Sequence, residues 1–182
     1  MVFYIVFTAI LFIIIFIFSS PRLSPIPYFP SNKKDMDIIV KSLDLADNQS
    51  VIDLGAGDGI VVFEAARAAW IRKLNTDFVA VEINPILIAI LHIKRLLHPN
   101  RLKIKIIKGD IFRMDYKGII ATKRSLTFYL YISPWHMEKT INNISRQTKK
   151  YSVVSYMYPV KSLKSSRKPK AGVHSVFFYS HS

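Results

Sequence analysis

Apolar and polar positions divide the chain into an unbroken apolar start and a body that switches between two periods. From Met1 to Phe18 every residue is apolar except Thr8, no charge occurs, and Ser19-Ser20-Pro21 closes the run. A helix rises ~1.5 Å per residue, so a run of this size spans ~27–30 Å, about one hydrocarbon core. A cleaved secretory leader would instead need a basic start, a shorter apolar centre and a small-residue cleavage site. None of these is present. Residues 1–20 are therefore expected to be a retained transmembrane anchor. Arg22, Lys33 and Lys34 follow the run and no basic residue precedes it, which by the positive-inside rule puts the body on the cytoplasmic side. Residues 21–30 carry Pro21, Pro25, Pro27 and Pro30 and read as an extended, fairly stiff linker to a domain at 31–182.

In the body, Ser31 or Asn32 can cap a helix reaching about Leu45, with Met36, Ile39, Val40 and Leu43 on one face. A short apolar strand, Ser50 to Leu54, runs into Gly-Ala-Gly-Asp-Gly. An alanine-rich helix, Ile60 to Arg72, a strand, Asp77 to Glu82, and a helix, Pro85 to Leu97, follow, with Pro85 suited to a first turn. Leu102 to Lys108 alternates lysine and aliphatic residues, as an edge strand protected from intermolecular pairing should. Ser125 to Ile132 is nearly all apolar, as a central parallel strand should be. A helix over Pro134–Gln147, a strand over Tyr151–Tyr158 and a last strand over Val173–Tyr179 complete the series. Strand and helix alternate from Ser50 to Tyr158, which predicts an α/β fold: a Rossmann-like, open, mostly parallel sheet with an antiparallel last strand.

Composition narrows the chemistry. The 182 residues contain no cysteine, which removes disulfides, thiolate metal sites, iron–sulfur clusters and a cysteine nucleophile. His92, His98, His174 and His181 show no ligand spacing, so no metal site is expected. Lys and Arg number 26 against 12 Asp and Glu, a net charge of +14. Six basic residues and no acid stand between Glu82 and Asp110: Lys94, Arg95, Arg101, Lys103, Lys105 and Lys108. Such a surface suits nucleic acid or anionic lipid equally.

In an open α/β sheet, ligands bind beyond the carboxyl ends of the strands. Val51 to Gly59 there reads VIDLGAGDG, where Gly55 and Gly57 let a ligand approach the main chain closely. The third glycine, Gly59, arrives one residue too early for a dinucleotide fingerprint. Asp53, two residues before the first glycine, suits a ligand carrying an ammonium group better than a pyrophosphate. Glu82 ends the second strand, where a carboxylate can accept both ribose hydroxyls. Asp110 ends the third and can accept from an exocyclic amine. The bland alternatives are a helix cap for Asp110 and a solvated strand end for Glu82.

With these motifs the chain resembles the class I S-adenosylmethionine-dependent methyltransferases. Asp53-Leu-Gly-Ala-Gly-Asp-Gly59 is similar to their first motif, Val79-Ala-Val-Glu82 to their ribose acid, and Gly109-Asp-Ile-Phe112 to their adenine-side motif. The resemblance implies S-adenosylmethionine as cofactor, held by Asp53, Gly55, Ala56, Gly57, Asp58, Glu82, Ile83, Asp110 and Ile111. More narrowly, the apolar leader, Pro27-Tyr-Phe-Pro30, the Val51–Gly59 run VIDLGAGDG and Val81-Glu-Ile-Asn-Pro85 resemble the membrane-anchored lysine methyltransferases that modify the ATP synthase c-subunit and the adenine nucleotide carrier, and their bacterial relatives. That implies a protein lysine as acceptor, held in a membrane-embedded protein. Departures are Ile60, where that family usually has Arg, and Ser133-Pro134-Trp135 after the fourth strand. Amide and base N-methyltransferases carry Asn/Asp-Pro-Pro-aromatic in that slot; the leading amide or carboxylate is missing here, which argues against those substrates.

Tyr28, Phe29, Ser133 and Trp135 are the acceptor-site candidates, the aromatic ones as flanks for an inserted lysine. His136 reads as a surface histidine at a helix start, and no general base stands out. The alternatives are an RNA or small-molecule methyltransferase, and a membrane-tethered module that binds the cofactor without transferring methyl groups. The basic segment Lys161–Lys170 is expected beside the acceptor entrance, facing an anionic membrane or an acidic target.

Overall fold

A computed structural model describes residues 1–19, 28–120 and 124–181, with the backbone alone at residues 10, 11, 13–19 and 120. The apolar start forms helix α1, Val2–Ser19, 18 residues without a charge. At ~1.5 Å per residue it is ~27 Å long, short of the ~30 Å hydrocarbon thickness. Among the described residues no helix is long and apolar enough to cross a membrane, so the expected transmembrane span is not found there. Most of the linker, residues 20–27, lies outside the described residues.

Asn32 caps a 3-10 turn, its Oδ1 accepting from the Lys34 amide at 2.9 Å, which leads into α2, Met36–Ser42. Then follow β1 (Gln49–Leu54), α3 (Ile60–Ile71), β2 (Thr76–Glu82), α4 (Pro85–Leu97) and β3 (Ile104–Lys108). The second half holds α5 (Lys117–Ile120), β4 (Ser125–Leu130), α6 (Pro134–Ser145), β5 (Tyr151–Tyr156), β6 (Lys170–Ala171) and β7 (Ser175–His181). The order across the sheet is β3-β2-β1-β4-β5-β7-β6. β1 to β5 are mutually parallel, and β7 runs antiparallel to both β5 and β6.

Chemistry of the strands explains this order. All six residues of β1 are buried, as a central strand covered on both faces requires. β3 sits at the edge, with Lys105 and Lys108 exposed. On one side of the sheet, Ala65, Ala66 and Ala69 let α3 approach closely, alongside α2 and α4. On the other, Met137, Ile141 and Ile144 of α6 pack with Ile52, Leu54, Phe128 and Leu130. Buried Asp35 pins the N-terminal end of α2 to the far strands. It accepts from Tyr156 Oη at 2.6 Å and from the amides of Val173 at 2.7 Å and His174 at 2.9 Å.

The middle of the basic segment lies along β7, away from the cleft lining. Ser165 bridges Tyr179, the Ser166 amide donates to Phe178, and Arg167 pairs with Asp44 at 2.8 Å and stands over the Phe178 ring. Tyr179 pairs with Val153 well below the carboxyl end of β5, and Asp44 precedes β1. The segment meets the outer edge of β7 at Ser165 and returns to the carboxyl end of β5 at Lys170, which pairs with Val176 opposite Tyr156. No residue from 161 to 170 lines the cleft at the carboxyl ends of the parallel strands.

Candidate active site

Register brings the acids together. Asp53 pairs with Ala80 of β2 and Glu82 with Lys108 of β3, so the carboxyl ends of the three strands form one rim. The Gly55 and Ala56 amides continue the pairing onto the Val81 carbonyl, and the Gly109 amide onto that of Glu82. Above the rim opens a cleft continuous with solvent, the place where ligands bind in open α/β sheets. Asp53, Gly55, Ala56, Gly57, Asp58, Glu82, Ile83, Asp110 and Ile111 all line it, as do Tyr28 and Phe29.

Ser133 and Trp135 do not. α6 begins at Pro134, and its periodicity sets Trp135 opposite the buried Met137 and Ile141, 77% exposed. His136 stands outside the cleft lining too, its ring 5.0 Å from that of Phe112.

Asp53 is buried and makes no side-chain hydrogen bond among the described residues. Its pKa is pushed well above the usual carboxylate range, first by burial and then by the negative charges of Glu82 and Asp58. A cationic group in the cleft would relieve all three effects. Glu82 is also buried, and three backbone amides hold it. Its Oε2 accepts from the Gly57 amide at 2.8 Å, and its Oε1 from the amides of Ile83 at 2.8 Å and Asn84 at 2.9 Å. A carboxylate offers about four lone-pair sites, so a ligand hydroxyl finds one free and a second hydroxyl must replace an amide. Glu82 is thus no solvated strand end. Asp110 Oδ1 accepts from the Phe112 amide at 2.9 Å, which fixes the loop after β3 and leaves Oδ2 only a distant Arg113 at 3.9 Å.

The glycine loop owes its shape to Gly57 and Gly59, both at positive φ (58° and 78°). A Cβ on Gly57 would stand 2.7 Å from the ring of Tyr28, which lies over the loop. Tyr28 hydrogen-bonds Asp58, and burial together with that carboxylate raises its pKa to about 12. Asp58 in turn pairs with Lys94 of α4 at 2.6 Å. α4 starts at the cleft wall because Asn84 caps it, Oδ1 accepting from the Ile86 amide at 2.9 Å with Pro85 at the first position.

The lining also includes Asn84, Phe112, Tyr129 and Tyr131, which the sequence did not single out as site residues. Asn84 before Pro85 carried a capping signal. Tyr129, bonded to Ser31 Oγ at 2.8 Å, is indistinguishable from core in an apolar run. Among the described residues no group of His, Asp or Glu is arranged to hold a metal ion.

An acid-rimmed cleft with a glycine loop over the first parallel strand now meets its comparison. Residues 28–156 match the family model of ribosomal RNA adenine dimethylases. The chain belongs to that family. A probable ribosomal RNA small subunit methyltransferase A of Methanosphaera stadtmanae is 30% identical over 81 residues, 44% of this chain and 27% of that relative. The chain therefore matches little more than a quarter of the relative's length. An RNA methyltransferase from Salinibacter ruber, solved with S-adenosyl-L-homocysteine, superposes with a TM-score of 0.68 at 22% identity, covering 84% of this chain and 94% of that one. The rRNA methyltransferase AviRa from Streptomyces viridochromogenes gives 0.55 at 11% identity, covering 90% and 89%. At these identities the two structures establish the fold.

The family is one of methyltransferases, and the cofactor it implies is S-adenosylmethionine. The narrower resemblance to the lysine methyltransferases is corrected by the same match. It rested on the apolar leader, Pro27–Pro30, Val51–Gly59 and Val81–Pro85; of these, Tyr28 to Pro30 and Val81 to Asn84 line the cleft, where they carry little information about the acceptor.

Proposed function

We propose that the protein methylates RNA, with the exocyclic amine of an adenine as acceptor. The family match over residues 28–156 carries this reading. A net charge of +14 supports it by drawing phosphate backbones toward the domain. Phe29, Phe112 and Tyr131 at the cleft offer aromatic surface on which an unstacked base can rest.

Within this reading Asp53 takes the ammonium of the cofactor, Glu82 its ribose and Asp110 the amine of its adenine. The buried carboxylate of Asp53, without a hydrogen bond among the described residues, is the feature that fits an amino-acid ammonium. When bound, the cofactor supplies a methyl group on a positively charged sulfur, already electrophilic. The chain has then to align the acceptor nitrogen with the S–CH₃ bond and keep water out. Tyr28 over Gly57, tied through Asp58 to Lys94, closes one side of the cleft. The turn Ser133-Pro134-Trp135 contributes no side-chain amide, so positioning is asked to do most of the work.

Labelled-methyl transfer tests this. The full chain is offered total ribosomal RNA, a membrane-protein fraction, or neither, and RNA nucleosides are separated by mass spectrometry. Label in N6-methylated adenosine is expected. Label confined to protein, or none despite cofactor binding, would overturn the reading.

We also infer that α1 attaches the protein to a membrane with its catalytic domain on the cytoplasmic side. Support comes from its uncharged sequence and the exposure of Val2 to Phe7 and Phe12. Deleting residues 1–20 should release the protein into the soluble fraction with cofactor affinity intact. Recovery of a cleaved chain starting near Pro21 outside the cytoplasm would refute the inference.

A further inference from the structure

α4 is apolar on two opposite sides. At 3.6 residues per turn, Leu87 and Leu91 point to the sheet and are buried. Ile86, Ala89, Ile93, Leu96 and Leu97 fall on the outward side, where His92 is the sole polar neighbour. Ile93, Leu96 and Leu97 are 61%, 67% and 84% exposed, and Leu102 in the following turn is 89% exposed. A surface helix normally places charge on its outward side, and a helix apolar all round is normally covered.

Charge is confined to the flanks. Lys94 and Arg95 stand at the two boundaries between the buried and outward sides. Lys94 reaches back to Asp58, and Arg95 Nε donates to the Arg101 carbonyl at 3.2 Å. Arg101, Lys105 and Lys108 are exposed and make no ion pair among the described residues. No acid occurs between Glu82 and Asp110 to balance them.

We propose that the outward side of α4, together with Leu102, seats in the interfacial layer of an anionic lipid bilayer. Large aliphatic side chains enter the acyl boundary, while basic side chains along the flanks reach the headgroups. RNA is a poor occupant, because its interfaces are polar and strongly charged and four aliphatic side chains gain nothing against phosphate. A second copy is poor as well. A two-fold contact apposes the same patch on both subunits, which would bring Arg101, Lys105 and Lys108 toward their own counterparts. Because α4 begins at the cleft wall, docking holds the cofactor cleft near the bilayer surface. The proposal does not depend on which acceptor enters that cleft.

Absence of cysteine makes the test direct. Ile93→Cys, Leu97→Cys and, on the opposite layer, Asn142→Cys are each labelled with an environment-sensitive fluorophore in the full chain. Unchanged affinity for S-adenosylhomocysteine certifies each fold. The labelled proteins are reconstituted in phosphatidylcholine vesicles with and without phosphatidylserine. Expected at residues 93 and 97 are a blue shift and severalfold stronger quenching by headgroup-proximal nitroxide lipid than at 142, more pronounced with phosphatidylserine. Labels at 93 and 97 as open to aqueous iodide as that at 142 would overturn the proposal. Shielding that appears without lipid and grows with protein concentration, or appears only on adding RNA, would overturn it in favour of a second copy or of nucleic acid.

Discussion

The Gly57 amide donates to Glu82 Oε2 at 2.8 Å, tying the glycine loop after β1 to the carboxylate that ends β2. Two more amides, of Ile83 and Asn84, converge on Oε1. Glu82 is therefore the clamp that holds both walls of the cleft as well as a candidate ligand to ribose.

Glu82→Ala should lose stability and cofactor affinity together. Hydrogen bonds to a charged group contribute ~1.5–3 kcal/mol, and buried donors left unpaired add their desolvation cost. Unfolding in denaturant should show at least ~2 kcal/mol of destabilisation, and calorimetry with S-adenosylhomocysteine about a ten- to hundredfold weaker affinity. A variant with wild-type stability would remove the clamp.

Asp53→Asn should separate those effects. The raised pKa of Asp53 means the folded protein binds its proton more tightly than the unfolded chain does. Between the unfolded pKa near ~3.9 and the raised folded value, stability therefore falls as pH rises. Asparagine abolishes that fall. The cofactor-free variant should equal or exceed the parent in stability at neutral pH while binding cofactor more weakly. Parallel pH–stability curves for the two proteins would contradict this account.

Gly57→Ala combines a backbone and a steric fault. At φ 58° an alanine pays ~1–2 kcal/mol for the left-handed conformation, and its methyl group would press on the Tyr28 ring. Adding Tyr28→Ala should recover the steric part and leave the backbone part, a coupling that a double-mutant cycle of unfolding free energies measures. Strict additivity would mean that Tyr28 does not lie over the loop in solution. In the parent, ultraviolet titration should find a tyrosine ionising at about 12 that Tyr28→Phe removes.

Asp35→Asn should weaken the junction between α2 and the β6–β7 turn. Burial alone would raise the Asp35 pKa, but hydrogen bonds from Tyr156, His174 and Val173 outweigh it and the net shift is downward. Its stabilisation is present above the unfolded pKa and is lost as pH falls through the folded one. Circular dichroism should show lower stability of the variant at neutral pH, with the difference shrinking on acidification below about pH 4. A difference independent of pH would assign the loss to packing.

Local patterns settled much of this protein before any folding was considered. Period-2 and period-3.6 runs placed β1 to β5, α3, α4 and α6 to within a few residues, because each pattern reports which side of its own element is buried. Alternating lysines marked β3 as the edge, and the positions of Asp53, Glu82 and Asp110 at successive strand ends fixed the acid rim. The net charge and the lack of cysteine likewise belong to the chain alone. Tertiary structure decided what depends on residues distant in sequence: Asp35 with Tyr156 and His174, Tyr28 over Gly57, and Glu82 held by three amides rather than open to solvent. It turned Trp135 outward and laid Ser165 and Arg167 along β7, since pairing partners and helix phase are set by the completed sheet. α4 shows the division best. Its sequence is apolar on two sides, and only packing against β2 and β3 determines which side is left facing outward.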